Sequence, residues 1–288
     1  MGIRKNLSSL TAAEKQAFVT AVLQLKNHIP SQLGLTNRYD DYVQMHMDAM
    51  TLGGMGAMYA HRGPAFLPWH REYLRRFEAD LQSIDPTVTV PYWDWTTDRT
   101  ATGAPWTADL MGGTGRASDA QVVDGPFAFA SGQWTVTVTM RSGGGPDLRR
   151  RLASIGLPLP TAAQVTSALG VTPYDNPPWS ISSQPSFRNR IEGGYGAGQI
   201  HDRVHAWVGG NMNSMASPND PVFWLHHSNI DRLWAQWQRQ HAPLGYLPVV
   251  GGPAGQNLND PMRPWLGATT PASVLDHLAL GYRYDSDP

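Results

Sequence analysis

The stretch 221-PVFWLHHSNIDRLWAQWQRQH-241 has apolar residues at helical spacing. His227, Ile230, Asp231 and Trp234 share one face, so one member of the adjacent pair His226–His227 points toward a core. Consecutive helical residues are rotated by about 100°, so both imidazoles cannot face one point. The periodicity selects His227. Asp220 is suited to cap this helix and Pro221 to occupy its first position.

Other segments repeat the pattern. In 68-PWHREYLRRFEADLQSI-84, His70 lies on the apolar face with Leu74, Phe77 and Leu81. In 201-HDRVH-205, within a helix of about 198–208, two histidines share a face with Val204 and Val208. Four inward imidazoles cannot all be satisfied by apolar neighbours, and an unpartnered buried polar group costs a few kcal/mol. A metal removes that cost. His46, on a helix spanning about 40–50, and His61, in a loop before His70, complete two groups of three: His46, His61, His70 and His201, His205, His227. Imidazole ligation suits copper, zinc, iron or nickel. The Asp202 that follows His201 is not the Glu of a zinc-peptidase H-E-x-x-H.

The composition narrows the class. The 288 residues are 41% hydrophobic, enough for a single domain over 1–288. A net charge of −1 speaks against nucleic-acid or anionic-membrane partners, and 149-RRR-151 reads as a solvated helix face. With no cysteine, thiolate sites and thiol nucleophiles are excluded. No apolar run reaches the ~20 residues of a membrane span. Residues 11–27 read as a helix opened by a Thr11–Glu14 capping box, not as an export signal. The expected location is therefore cytoplasmic, or outside the cell if exported with a partner. Stretches of roughly 96–135 and 172–197 read as irregular, and 134-WTVTVTM-140 as a short strand. The expected fold is mainly α, a central four-helix bundle wrapped by long loops with minor β structure.

Several stretches carry a resemblance: 61-HRGPAFLPWHREYLRRFE-78, 90-VPYWDW-95, 112-GGTGR-116, 187-FRNRIEG-193, 201-HDRVHAWVGG-210 and 217-SPNDPVFWLHHSNIDRLWAQWQRQH-241. On these the chain resembles the type 3 copper proteins, and in particular the short bacterial tyrosinases of the Streptomyces type. The resemblance implies two coppers, one on His46, His61 and His70, the other on His201, His205 and His227, with O2 as co-substrate. It implies oxidation of o-diphenols to o-quinones, with monophenol hydroxylation. It also implies Phe66 and Phe223 packed on the ligands, and a small copper-delivering partner protein covering the site. Asp231, one turn past His227, is expected to accept that ligand's second N–H.

In such enzymes a Glu, here Glu192, and an Asn after the first histidine of the second copper hold a water that takes the phenol proton. Here the Asn is Asp202. Glu192 and Asp202 are thus the candidate proton-handling pair. The change favours either a stronger base, or loss of hydroxylation, or preference for o-aminophenols. It is inert if Asp202 merely pairs with Arg203 or Arg190. Ala206, small and next to His205, predicts an open entrance. A zinc hydrolase leaves the first histidine group unexplained, and an oxygen carrier calls for a shielded site.

Overall fold

The structure, a computed structural model, describes residues 1–51, 58–140, 145–193 and 200–288. Residues 194–197 of the second expected irregular stretch lie outside them. The described chain is mainly helical: α1 (Ala12–Asn27), α2 (Arg38–Thr51), α3 (Phe66–Ile84), α4 (Ala162–Leu169), α5 (Phe187–Glu192), α6 (His201–Val208) and α7 (Val222–Gln240). None of these helices is long and apolar enough to cross a membrane.

Local chemistry accounts for most boundaries. Thr11 and Glu14 form the reciprocal capping box at the start of α1. Helix α3 begins two residues before Pro68, which still lies in the first turn, where no N–H bond is required. Asp220 Oδ1 accepts from the Val222 N–H at the start of α7, 3.1 Å away. The N-cap position itself falls on Pro221, one residue later than expected, and Asp220 also receives a two-bond ion pair from Arg150, at 2.7 Å from each oxygen.

That ion pair corrects the reading of 149-RRR-151. The segment is not helical, and Arg150 is fully buried, donating also to the carbonyls of Met111 and Gly112. A buried guanidinium of this kind holds loops to the end of α7. The segment 134–140 is not a strand either. Trp134 packs instead against Tyr39 of α2, ring centroids 4.7 Å apart. The β structure lies at the two ends of the chain: β1 (Gly2–Arg4) pairs in parallel with β2 (Tyr282–Tyr284). Helices α4 and α5 also arise where no helix was expected.

Four helices meet at the centre. The Phe77 and Trp224 rings stack between α3 and α7 at 3.6 Å and 2°. Trp224 Nε1 donates to Tyr39 Oη of α2, and Tyr73 Oη of α3 donates to the Tyr42 carbonyl of α2. Helix α6 faces α7 through His201 and His227. The first long irregular stretch is pinned by the buried Trp106 and Trp134, with Trp93 and Trp95 buried just before it.

Candidate dinuclear metal centre

The helix faces converge as their periodicity requires. His46 comes from α2, His61 from the loop before α3 and His70 from α3; one nitrogen of each lies within 4.8 Å of the others. His201 and His205 of α6 and His227 of α7 form a second such group, which His226 also approaches. The groups face each other. The His70 and His227 rings stack with centroids 4.3 Å apart, and those of His61 and His201 are 5.5 Å apart.

The outer hydrogen bonds set the tautomers. His46 Nδ1 donates to the Met215 carbonyl (2.7 Å), His70 Nδ1 to Phe66 (2.8 Å) and His205 Nδ1 to Met212 (2.7 Å). A carbonyl can only accept, so these nitrogens carry the protons and each Nε2 keeps its lone pair. The inward atoms crowd together: Nε2 of His227 lies 3.3 Å from that of His201 and 3.2 Å from that of His205. His46 and His61 approach through Nε2 at 3.3 Å, and the buried Nε2 of His70 has no partner. Converging lone pairs from neutral imidazoles are a donor set for a metal ion, and they fit copper.

Burial reinforces neutrality. Desolvation first, then repulsion between imidazoles, pushes His46, His70, His201 and His227 well below the ordinary histidine pKa. Burial lowers His205 to about 4.

His226 is buried differently. Trp95 Nε1 donates to its Nδ1 at 3.1 Å, so in the neutral ring the proton sits on Nε2. Neither nitrogen then offers a lone pair to a metal, despite its nearness. Phe66 packs on His70 (5.0 Å) and His201 (4.9 Å), and Phe223 stacks on His227 (4.0 Å).

Asp231 does not serve His227. It accepts instead from Arg71 Nε (2.5 Å), Arg4 Nη1 (3.3 Å) and the hydroxyls of Tyr282 and Tyr284 (both 2.6 Å). His227 Nδ1 is left without a hydrogen bond. Two guanidinium groups compete for the carboxylate more strongly than a neutral imidazole can.

Asp202 pairs with neither Arg203 nor Arg190. Its Oδ2 accepts from Arg62 Nη1 (2.7 Å) and its Oδ1 from His201 Nδ1 (2.9 Å). Glu192 is fully buried, accepting from Arg188 Nη1 at 3.1 Å and from the Arg62 backbone N–H at 2.5 Å. Its Oε1 also lies 3.5 Å from His61 Nδ1. Arg62 thus bridges the two carboxylates of the candidate proton-handling pair, by its backbone N–H to Glu192 and its guanidinium to Asp202. Arg62 adjoins His61 in sequence, but its partner Asp202 lies 140 residues away, so no local pattern marks the pair. The Met212 and Met215 carbonyls leave no sequence signal, because any residue can supply one.

A cavity of about 470 Å³ opens onto His46, His61, His201 and His205, and Arg62, Asp202 and Ala206 also line it.

An all-histidine dinuclear centre in a helical core is the arrangement of a type 3 copper protein. The family model for the common central domain of tyrosinase matches residues 36–240. The chain is 50% identical over its full length to the tyrosinase of Streptomyces glaucescens, covering all of that protein. It is 39% identical to the grixazone synthase of Streptomyces griseus, over 98% of this chain and 99% of that protein. The fold matches a polyphenol oxidase variant from Thermothelomyces thermophila with a TM-score of 0.70 at 22% identity, covering 99% of this chain and 88% of that one. It also matches a functional unit of octopus hemocyanin, with a TM-score of 0.63 at 24% identity, covering 99% and 68%. The chain belongs to the tyrosinase family, whose members are dicopper enzymes.

Proposed function

We propose that the protein is a tyrosinase-like copper polyphenol oxidase. It uses O2 to oxidise small o-diphenols to o-quinones, and it also hydroxylates monophenols. His46, His61 and His70 hold one copper; His201, His205 and His227 hold the other. When bound, the copper pair supplies O2 binding and electron exchange. The observation that carries the reading is the pair of facing all-imidazole groups beneath an accessible cavity. Two diphenols give up four electrons and four protons, which reduce one O2 to two waters.

The chain's own groups handle substrate and protons. Ala206 leaves room at the entrance for a flat ring. A phenol ionises near pH 10 in water, so hydroxylation needs a base in the site. In this reading Asp202, whose side chain is 28% exposed at the cavity, takes that proton, with buried Glu192 behind it.

A second reading, o-aminophenol oxidation without hydroxylation, is favoured by the carboxylate of Asp202 on the cavity wall, which attracts an amino group. The 39% identity to a grixazone synthase accords with it. Oxygen uptake by copper-loaded protein, with a monophenol, its o-diphenol and an o-aminophenol run side by side, separates the readings. Uptake with all three supports the first; uptake with all but the monophenol supports the second. Two bound coppers with no uptake would leave an oxygen carrier.

The small copper-delivering partner belongs to the same proposal, as does residence in the cytoplasm or export with that partner. The apolar Ile155 and Leu157, 45% and 46% exposed, support a covered surface, since Leu157 reaches the cavity rim. Co-purification of a small protein that accelerates copper loading tests it.

A further inference from the structure

The two histidine groups are not held equally. In the first, His46 and His70 donate to backbone carbonyls, and His61 lies 3.5 Å from buried Glu192. In the second, His205 donates to a backbone carbonyl and His201 also meets the Glu192 carbonyl, whereas His227 Nδ1 has no acceptor. The one side-chain acceptor of His201 is Asp202, at the cavity wall, 2.9 Å from its Nδ1.

What holds Asp202 comes from the other group. Arg62 directly follows His61, and its guanidinium reaches across to Asp202 Oδ2 at 2.7 Å. Its backbone is itself constrained: φ is 61°, in the left-handed region, with the N–H bound by Glu192. Gly193, next in the chain, forms a ledge under Asp202. A Cβ there would come within 2.8 Å of Asp202 Oδ2. The end of α5 therefore meets both residues: the Glu192 carboxylate accepts the Arg62 N–H, and Gly193 lies against the Asp202 side chain.

We propose that Arg62 is a positioning residue that ties the two metal half-sites together. It holds Asp202 in the rotamer that accepts the His201 Nδ1–H, and so secures the metal of the second group. Partners of this outer kind typically govern metal affinity by 10–100-fold. The inference rests on the dicopper reading above.

Copper release to a chelator, followed per chain over time, tests it, with far-UV circular dichroism confirming the fold of each variant. The parent should hold two coppers. Arg62→Met should release one of them about ten-fold faster and the other at the parental rate. Arg62→Lys, which keeps the charge for this single bond, should behave like the parent. Asp202→Leu should match Arg62→Met, and reports on the pair by itself if Arg62→Met does not fold. The double variant should be no faster than Asp202→Leu. Parental release in folded Arg62→Met, equal acceleration of both coppers, or additive effects in the double variant would overturn the proposal. A parent that binds fewer than two coppers would instead overturn the dicopper reading.

Discussion

The imidazoles of His70 and His227 stack at 4.3 Å with their planes 17° apart, joining α3 and α7 at the face shared by the two histidine groups. Each is a candidate ligand of a different metal, so removing either should empty one half of the centre. His70→Ala and His227→Ala are each expected to retain at most one copper per chain and to lose the oxidase activity entirely. Metal analysis of the purified variants checks this; two coppers retained in either would refute the assignment.

Neutral imidazoles crowded in a buried site make the metal-free protein sensitive to acid. Histidines of the unfolded chain bind protons near pH 6.5, whereas burial and mutual repulsion keep His46, His70, His201 and His227 well below that, and His205 is at about 4. The unfolded state therefore takes up more protons in this window, and stability declines as pH falls from about 6.5 toward 4. The urea midpoint of metal-free protein should drop over that range. A midpoint that stays flat between about pH 7 and 5 would contradict it.

Asp231 is the counter-charge of buried Arg71, shares Arg4 with Glu78, and joins both ends of the chain to α3 and α7 through Arg4, Arg71, Tyr282 and Tyr284. Asp231→Ala should destabilise the fold by about 3–5 kcal/mol, because it leaves uncompensated buried charge. Burial alone would raise this carboxyl, but Arg71 and Arg4 outweigh it and hold the pKa below the ordinary value. Its stabilisation is complete above the unfolded pKa of about 4 and is lost as pH falls through the lower folded value. Chemical denaturation at neutral and acid pH measures both effects.

Gly193→Ala should be costly at one atom. The position has φ of 118°, and the new Cβ would meet Asp202. A loss of about 1–3 kcal/mol is expected from the backbone alone. Unchanged thermal stability would show that the ledge yields.

Asp202→Asn separates the two substrate readings. It removes the charge facing the cavity: the ratio of monophenol to o-aminophenol turnover should fall several-fold if Asp202 is the base of the first reading, and rise several-fold if its charge selects for an amino group. An unchanged ratio of the two rates would remove Asp202 from substrate choice.

Much of this molecule was written locally. The periodicity of 68–84 and 221–241 put His70 and His227 on inward faces, and α3 and α7 carry them there. The Thr11–Glu14 box lies within three residues and formed as read. Such features depend on neighbours along one helix, whose geometry is known in advance. The partners of charged groups are another matter. Asp231 faces inward as expected, but Arg4 and Arg71, 227 and 160 residues away in sequence, take it from His227. Arg150 is buried against Asp220 and not solvated. Asp202 meets Arg62 across 140 residues. The β1–β2 pairing of the chain's two ends has the same character. A sequence states which side of a helix a group occupies. Which of several competing donors reaches a buried carboxylate is decided only when the whole chain has packed, because that choice is a global minimum over charges that local periodicity does not bring together.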